Sequence, residues 1–179
     1  FNRTGWLLKG RGGAQIELVL DLGEVRAGER SLPICEIELE LKAGQPDALF
    51  ALALEWAGQF DCLPSDVSKA ERGVRLAHGV ADAPVKSVSL TLDGGMRVED
   101  SFAAICQACL AQFQANLPGV LASGDIEYVH QARVALRRLR AALRLYRKAC
   151  ALPDDLLDGL RTLATALGPA RDWDVLCEE

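Results

Sequence analysis

The sequence predicts an α+β protein, an antiparallel sheet followed by an all-α helical bundle. Three observations predict it. Residues 1 to about 92 alternate apolar and polar with a period of two, as strands do. From Val98 onward the apolar residues recur at helical spacing. A stretch over 77–95, holding Ala83-Pro84 and Gly94-Gly95, separates the two patterns. The expected organisation is therefore a strand-rich part over 1–77, a linker over 78–96 and a helical part over 97–179.

Gly5 to Lys9 reads as the first strand, and Gly12-Gly13 after it is a hairpin signal. The second strand, Ala14 to Gly23, sets Ile16, Leu18 and Leu20 against Glu17, Val19 and Asp21. The third, Ile34 to Lys42, sets Ile37, Leu39 and Leu41 against Glu36, Glu38, Glu40 and Lys42. Pro46 to Phe60 has Leu49, Leu52, Ala53 and Trp56 at helical spacing. Val74 to Leu76 reads as a short strand, and Val88 to Leu92 as an edge strand within the linker. In the second half, helices are expected over Glu99–Asn116, over Ile126–Cys150 with Asp125 as cap, and over Asp154–Leu167. The last should stop at Gly168-Pro169, with a further helix opening near Ala170. Trp6, Trp56 and Trp173 read as core residues.

The chain has 179 residues, half of them hydrophobic, with 6% aromatics, so its core must rest on Leu, Ala and Val. It opens on Phe1 and closes within a helical pattern, so both parts are expected to be pieces of larger domains. No apolar run approaches the roughly 20 residues that span a bilayer. Cys35, Cys62, Cys106, Cys109, Cys150 and Cys177 are scattered. Cys106 and Cys109 share a helical face and read as buried thiols in a reducing cytoplasm, with a metal or redox pair as the alternative.

Two charge patterns carry chemistry. Glu36, Glu38 and Glu40 project to one face of one strand. Such a face is either solvated or neutralised by cations, which can be metal ions or Lys and Arg. The second pattern is cationic. The net charge is −5, yet Glu127 to Cys150 holds seven basic residues and one acidic. At 100° per residue, His130, Arg133, Arg137, Arg140, Arg144, Arg147 and Lys148 fall in one arc, and only Arg138 points elsewhere. Solvated helix faces mix signs, because like charges at i, i+4 repel. An unmixed arc rich in Arg therefore calls for an anion, and the planar guanidinium suits phosphate. Aromatics that could stack on bases are nearly absent from this helix, which disfavours nucleic acid, although contact with duplex phosphates stays open.

The segments IELVLDLGEVRAG, PICEIELELKAG, LFALALEW and SKAERGVRL resemble, in order and spacing, the C-terminal half of the CYTH family, the triphosphate tunnel metalloenzymes, over residues 4 to 77. The resemblance implies part of an antiparallel β-tunnel (barrel), with Glu36, Glu38 and Glu40 facing a divalent metal, Mg or Mn. It places Glu17, Asp21 and Lys42 along the tunnel lining, and Lys69 and Arg72 on triphosphate oxygens. The family's opening E-x-E-x-K strand is absent. Glu38, Glu40 and Lys42 have that spacing, but the segments after them match the family's later half. This piece alone is therefore expected to be inactive.

EYVHQARVALRRLRAALRLYRKA, followed by LRTLATALGPARDWDVL, resembles the CHAD family of histidine-containing α-helical domains, over residues 97 to 179. That resemblance implies a helical bundle binding inorganic polyphosphate, here through His130, Arg133, Arg137, Arg140, Arg144, Lys148 and Arg171. Asp172 and Asp174 would orient those arginines. Together the resemblances imply a cytoplasmic protein, associated with polyphosphate granules in one version. It would hydrolyse triphosphate or short polyphosphate and grip longer chains. The alternatives are a non-catalytic polyphosphate-binding module and, ranked below it, an adenylate cyclase.

Overall fold

The computed structural model describes residues 1–150, 152 and 154–177, without the side chains of residues 154, 155 and 168–177. Two compact units divide the chain, Phe1–Ala81 and Asp82–Glu179. The stretch expected as a linker thus falls with the second unit from Asp82 onward.

In the first unit, β1 (Asn2–Lys9), β2 (Gln15–Ala27) and β3 (Arg30–Ala43) form an antiparallel sheet in the order β1-β2-β3. A 3-10 turn over Arg11–Gly13 joins the first two strands, at the Gly12-Gly13 pair where a hairpin is expected. Among the described residues the sheet stays open, so no barrel or tunnel is closed. Leu18 stands opposite Trp6 on one side and Leu39 on the other, while Asp21 stands between Arg3 and Glu36. Alternation therefore gives one apolar face and one charged face. On the apolar face Ile16 and Leu18 are buried. The helix α1 (Pro46–Gln59) follows, with Pro46 at its first turn, and brings Ala48 close to Gly10.

Val74–Leu76 is not a strand. It lies inside the helix α2, Lys69–His78. The overriding signal is a capping sequence, Ser68-x-x-Glu71. The Ser68 hydroxyl accepts from the Glu71 amide at 3.1 Å, and Gly79 in a left-handed conformation ends the helix. Three residues of apparent alternation cannot compete with a capped ten-residue helix. The edge strand expected at Val88–Leu92 is likewise not formed, and residues 80–92 are irregular. Instead, the buried Asn116 amide holds the Val85 backbone. It accepts from the Val85 amide and donates to the Val85 carbonyl, each at 2.9 Å.

The second unit packs α3 (Val98–Ala122), α4 (Ile126–Tyr146) and α5 (Asp154–Cys177). α3 passes Asn116 and Pro118 because the turn beyond them brings Leu117 and Val120 against Phe113, Ala132, Ala135 and Leu136. That burial outweighs the single backbone bond a proline removes. α5 likewise continues through Gly168-Pro169, where a break is expected. Leu160, Ala164 and Leu167 seat the preceding turns on the same core, and Arg133 donates to the Leu167 carbonyl at 2.8 Å. α4 begins at the expected cap, with Asp125 accepting from the Glu127 amide at 2.9 Å, but ends at Tyr146, before Cys150. Trp6 is 46% exposed, not core, Trp56 is half-buried against Phe60, and the Trp173 side chain lies outside the described ones. Cys109 is buried among Leu139 and Leu143 with Cys106 beside it, and burial pushes both thiols up. Cys35 and Cys62 are exposed, and Cys177 lies outside the described side chains. Among the described residues no helix is long and apolar enough to cross a membrane.

One glycine is set by packing. A Cβ at Gly119 would overlap the ring of Tyr128, which is buried against it. Ala is the better helix former by about 1 kcal/mol, but forcing an atom into a filled core costs about 1–3 kcal/mol and carries with it the displacement of an aromatic ring. Gly119→Ala is therefore expected to destabilise the helical unit by about 1–2 kcal/mol, read from the urea midpoint of helical signal. An unchanged midpoint would show that the Tyr128 ring moves freely.

Candidate functional site

The charged face of the sheet gathers acids and bases from four elements. β1 supplies Arg3, β2 Glu17 and Asp21, and β3 Glu36, Glu38, Glu40 and Lys42. α2 supplies Lys69 and Arg72, three apart and so on one helical face. The Lys69 ammonium lies between three carboxylates, at 2.8 Å from Asp21 and 2.6 Å from Glu38, and also pairs with Glu36. Arg3 grips Asp21 with two bonds, at 2.9 and 2.6 Å, and reaches Glu38 at 2.8 Å. Arg72 pairs with Glu36. Three carboxylates thus meet three cations.

Asp21 is fully buried. The Arg3 hydrogen bonds hold its carboxyl well below the usual carboxylate range; burial works the other way, and Lys69 adds to Arg3. Burial also opposes the Glu36 carboxylate and is outweighed by Lys69 and Arg72, so Glu36 too is lowered. For Lys69 the largest influence is burial, which disfavours the ammonium. Asp21, Glu36 and Glu38 together overcome it and raise Lys69 above its ordinary value. Lys42 forms a separate bridge, at 2.9 Å to Glu17 and 2.8 Å to Glu40, and both partners raise it.

Of the residues expected to face metal, Glu36 and Glu38 come together, and their third partner is Asp21, not Glu40. One oxygen from each of Asp21, Glu36 and Glu38 lies within 4.8 Å of the others. Three carboxylate oxygens at that spacing are a suitable donor set for a hard divalent ion. Lys69 bonds to all three, so an ion would have to displace that side chain. Arg3 is the one participant that sequence reasoning missed. The expected strand begins at Gly5, whereas β1 begins at Asn2, and its hairpin register with β2 brings Arg3 opposite Asp21.

The second unit presents the cationic arc along a groove between α4 and α5. One part of it, about 370 Å³, has His130, Arg133, Arg137 and Arg140 over Leu136 and Ala164. A neighbouring part, about 450 Å³, shares Arg140 and adds Arg144 and Arg147, with Arg161 from α5. Among the described side chains no carboxylate pairs with any of the cations of the arc. Ion pairs of this unit, Arg97–Glu99 and Arg161–Asp158, lie outside it. Arg138 points to α3, donating to Gln112 at 2.9 Å within a buried network that includes Gln131. The side chains of Arg171, Asp172 and Asp174 lie outside the described ones.

A helical unit with an arginine-walled groove between two helices defines the class to compare. Residues 104–179 match the family model of the CHAD domain. The chain is also 42% identical, over 76 residues, to an inorganic triphosphatase of Haemophilus influenzae. That stretch is 42% of this chain and 21% of the relative.

Proposed function

We propose that the helical unit holds inorganic polyphosphate or a shorter oligophosphate in the groove between α4 and α5. The observation that carries this is the row of arginines from Arg133 to Arg147, with His130 beside it, unpaired with any described carboxylate and walling one groove. Guanidinium forks suit phosphate oxygens, and a chain of linked phosphates neutralises successive turns of a helix at once. The CHAD match and the triphosphatase relative agree with this ligand class. Lys148 and Arg171 belong to the same proposed set. A slim chain is favoured over nucleic acid, because the described lining of the groove holds no Phe, Tyr or Trp side chain on which bases could stack.

The first unit is read here as the later half of a CYTH-type tunnel, belonging to a longer protein that hydrolyses triphosphate in the cytoplasm. A divalent ion, Mg or Mn, would be held by Asp21, Glu36 and Glu38 and would polarise a phosphoryl oxygen. Lys69, displaced from those carboxylates, and Arg72 would then be free to contact phosphate oxygens, while Arg3 keeps Asp21 ionised and fixed. Glu17, Glu40 and Lys42 would line the same face.

A second reading has its own support. With three cations already neutralising its three carboxylates, the Asp21, Glu36 and Glu38 cluster is satisfied from within the chain, as in a scaffold for a binding module. Phosphate release from tripolyphosphate with Mg²⁺ or Mn²⁺ separates the two readings. The full-length protein is expected to release phosphate and its Glu38→Gln variant to lose most of that rate. No release by the full-length protein leaves the binding module alone.

A further inference from the structure

The groove has two walls, and they belong to different helices. Arg140, Arg144 and Arg147 stand on one side, and Arg161 of α5 stands on the other, over a floor that includes Leu143 and Leu157. Arg161 lies outside the cationic arc of α4. Its partner is Asp158, at 2.7 Å and three residues earlier on the same helix, with both side chains about two-thirds exposed. An exposed pair of this kind contributes little, so Arg161 can exchange its carboxylate for a phosphate at small cost. The arc from His130 to Arg147 runs about 25 Å at 1.5 Å per residue. A single phosphate meets one or two of these cations, whereas a chain lying along the groove meets both walls.

We infer that Arg161 is a further phosphate-binding residue, the α5 side of a two-walled groove selective for long phosphate chains, and that Asp158 competes with the ligand for it. This rests on the reading that the groove takes oligophosphate. Without an anion, Arg161 and the α4 arginines repel one another across the groove, and among the described side chains the counter-charge on the α5 side is Asp158. A chain seated between them neutralises both walls and draws α5 toward α4. The bond from Arg133 to the Leu167 carbonyl fixes α5 at one end of the groove. Closure would therefore be felt at the end that carries Arg161.

The test is a titration of the 179-residue chain with long-chain inorganic polyphosphate and with tripolyphosphate, each over a range of salt. Arg161→Ala is expected to weaken long-chain binding about fivefold and to lower the slope of log affinity against log salt by about one, the mark of one lost phosphate contact. Arg161→Lys should restore most of that slope, and Asp158→Asn should tighten long-chain binding. Tripolyphosphate should respond less to all three. A purely structural role for Arg161 would move the melting temperature and leave the salt slope unchanged. Long-chain binding with an unaltered slope in Arg161→Ala overturns the second wall while leaving the proposed function in place. Failure of the unaltered chain to bind either ligand overturns the proposed function itself.

Discussion

Charge reversal to glutamate at Arg137 and Arg140 together is expected to weaken long-chain polyphosphate binding by about 100-fold or more at moderate salt. Each reversal removes one phosphate contact and sets a carboxylate against the ligand, and like charges brought together at an interface are strongly unfavourable. Both side chains are exposed, and neither pairs with a described carboxylate, so nothing holding the fold is lost. The helix should gain slightly. A carboxylate in place of Arg137 follows Arg133 by one turn, and one in place of Arg140 precedes Arg144 by one turn, so repulsive i, i+4 neighbours become attractive ones. Retained helicity and melting temperature with lost binding is the expected pair of results. Arg133 is the poorer choice for this experiment, since its bond to the Leu167 carbonyl makes it part of the packing between α4 and α5. Retained affinity in the double reversal would mean that the ligand, if any, lies elsewhere.

Replacing Lys69 by alanine is expected to destabilise the first unit by about 2 kcal/mol, between the worth of an exposed pair and that of a buried one. For a unit of this size the melting temperature should fall by about 10 °C. The cause is the uncompensated charge left behind. Arg3 stays on Asp21 and Glu38 and Arg72 stays on Glu36, but three carboxylates are then left with two cations. The loss should depend on pH in a fixed sense. Asp21 and Glu36 are lowered in the folded state, so their contribution is complete above their unfolded values and fades as pH falls below about 4. Lys69 is raised, so its contribution is complete below about pH 10 and fades as pH rises further. The gap between Lys69→Ala and the unaltered chain should be widest from about pH 5 to 10 and narrow on both sides. A gap that widens with acid would contradict the cluster. Added Mg²⁺ should recover part of the loss, because the three oxygens are then open to a hard cation.

Much of this arrangement was legible in the sequence. Alternation placed Glu17 and Asp21 on one face of β2 and Glu36, Glu38 and Glu40 on one face of β3, because side-chain direction in a strand is a local property. Helical phase placed the arginines of α4 together and sent Arg138 elsewhere, for the same reason. Partners across space were harder to read. Arg3 is near in phase to nothing that marks it, and only the hairpin register brings it to Asp21. Glu40, equal in sequence to Glu36 and Glu38, separates from them because Lys42, which also pairs with Glu17, takes it. Where local signals conflicted, the stronger one was the cap. Ser68 and Glu71 make a helix of residues whose short alternation reads as a strand. Proline was misleading at Pro169, since packing of Leu167 outweighs a single missing donor, and α3 runs past Pro118 on the packing of Leu117 and Val120 in the same way.

The cationic row of α4 lines a groove with parts of about 370 and 450 Å³, joined at Arg140. The most direct measurement is therefore a competition on the 179-residue chain between long-chain inorganic polyphosphate and duplex DNA, at equal phosphate concentration and matched salt. Polyphosphate tighter by about tenfold or more is the expected result, since a flexible chain can follow the groove from one part to the other and a stiff duplex follows it less well. Equal affinities would contradict it and leave the arginines as a general anion-binding surface.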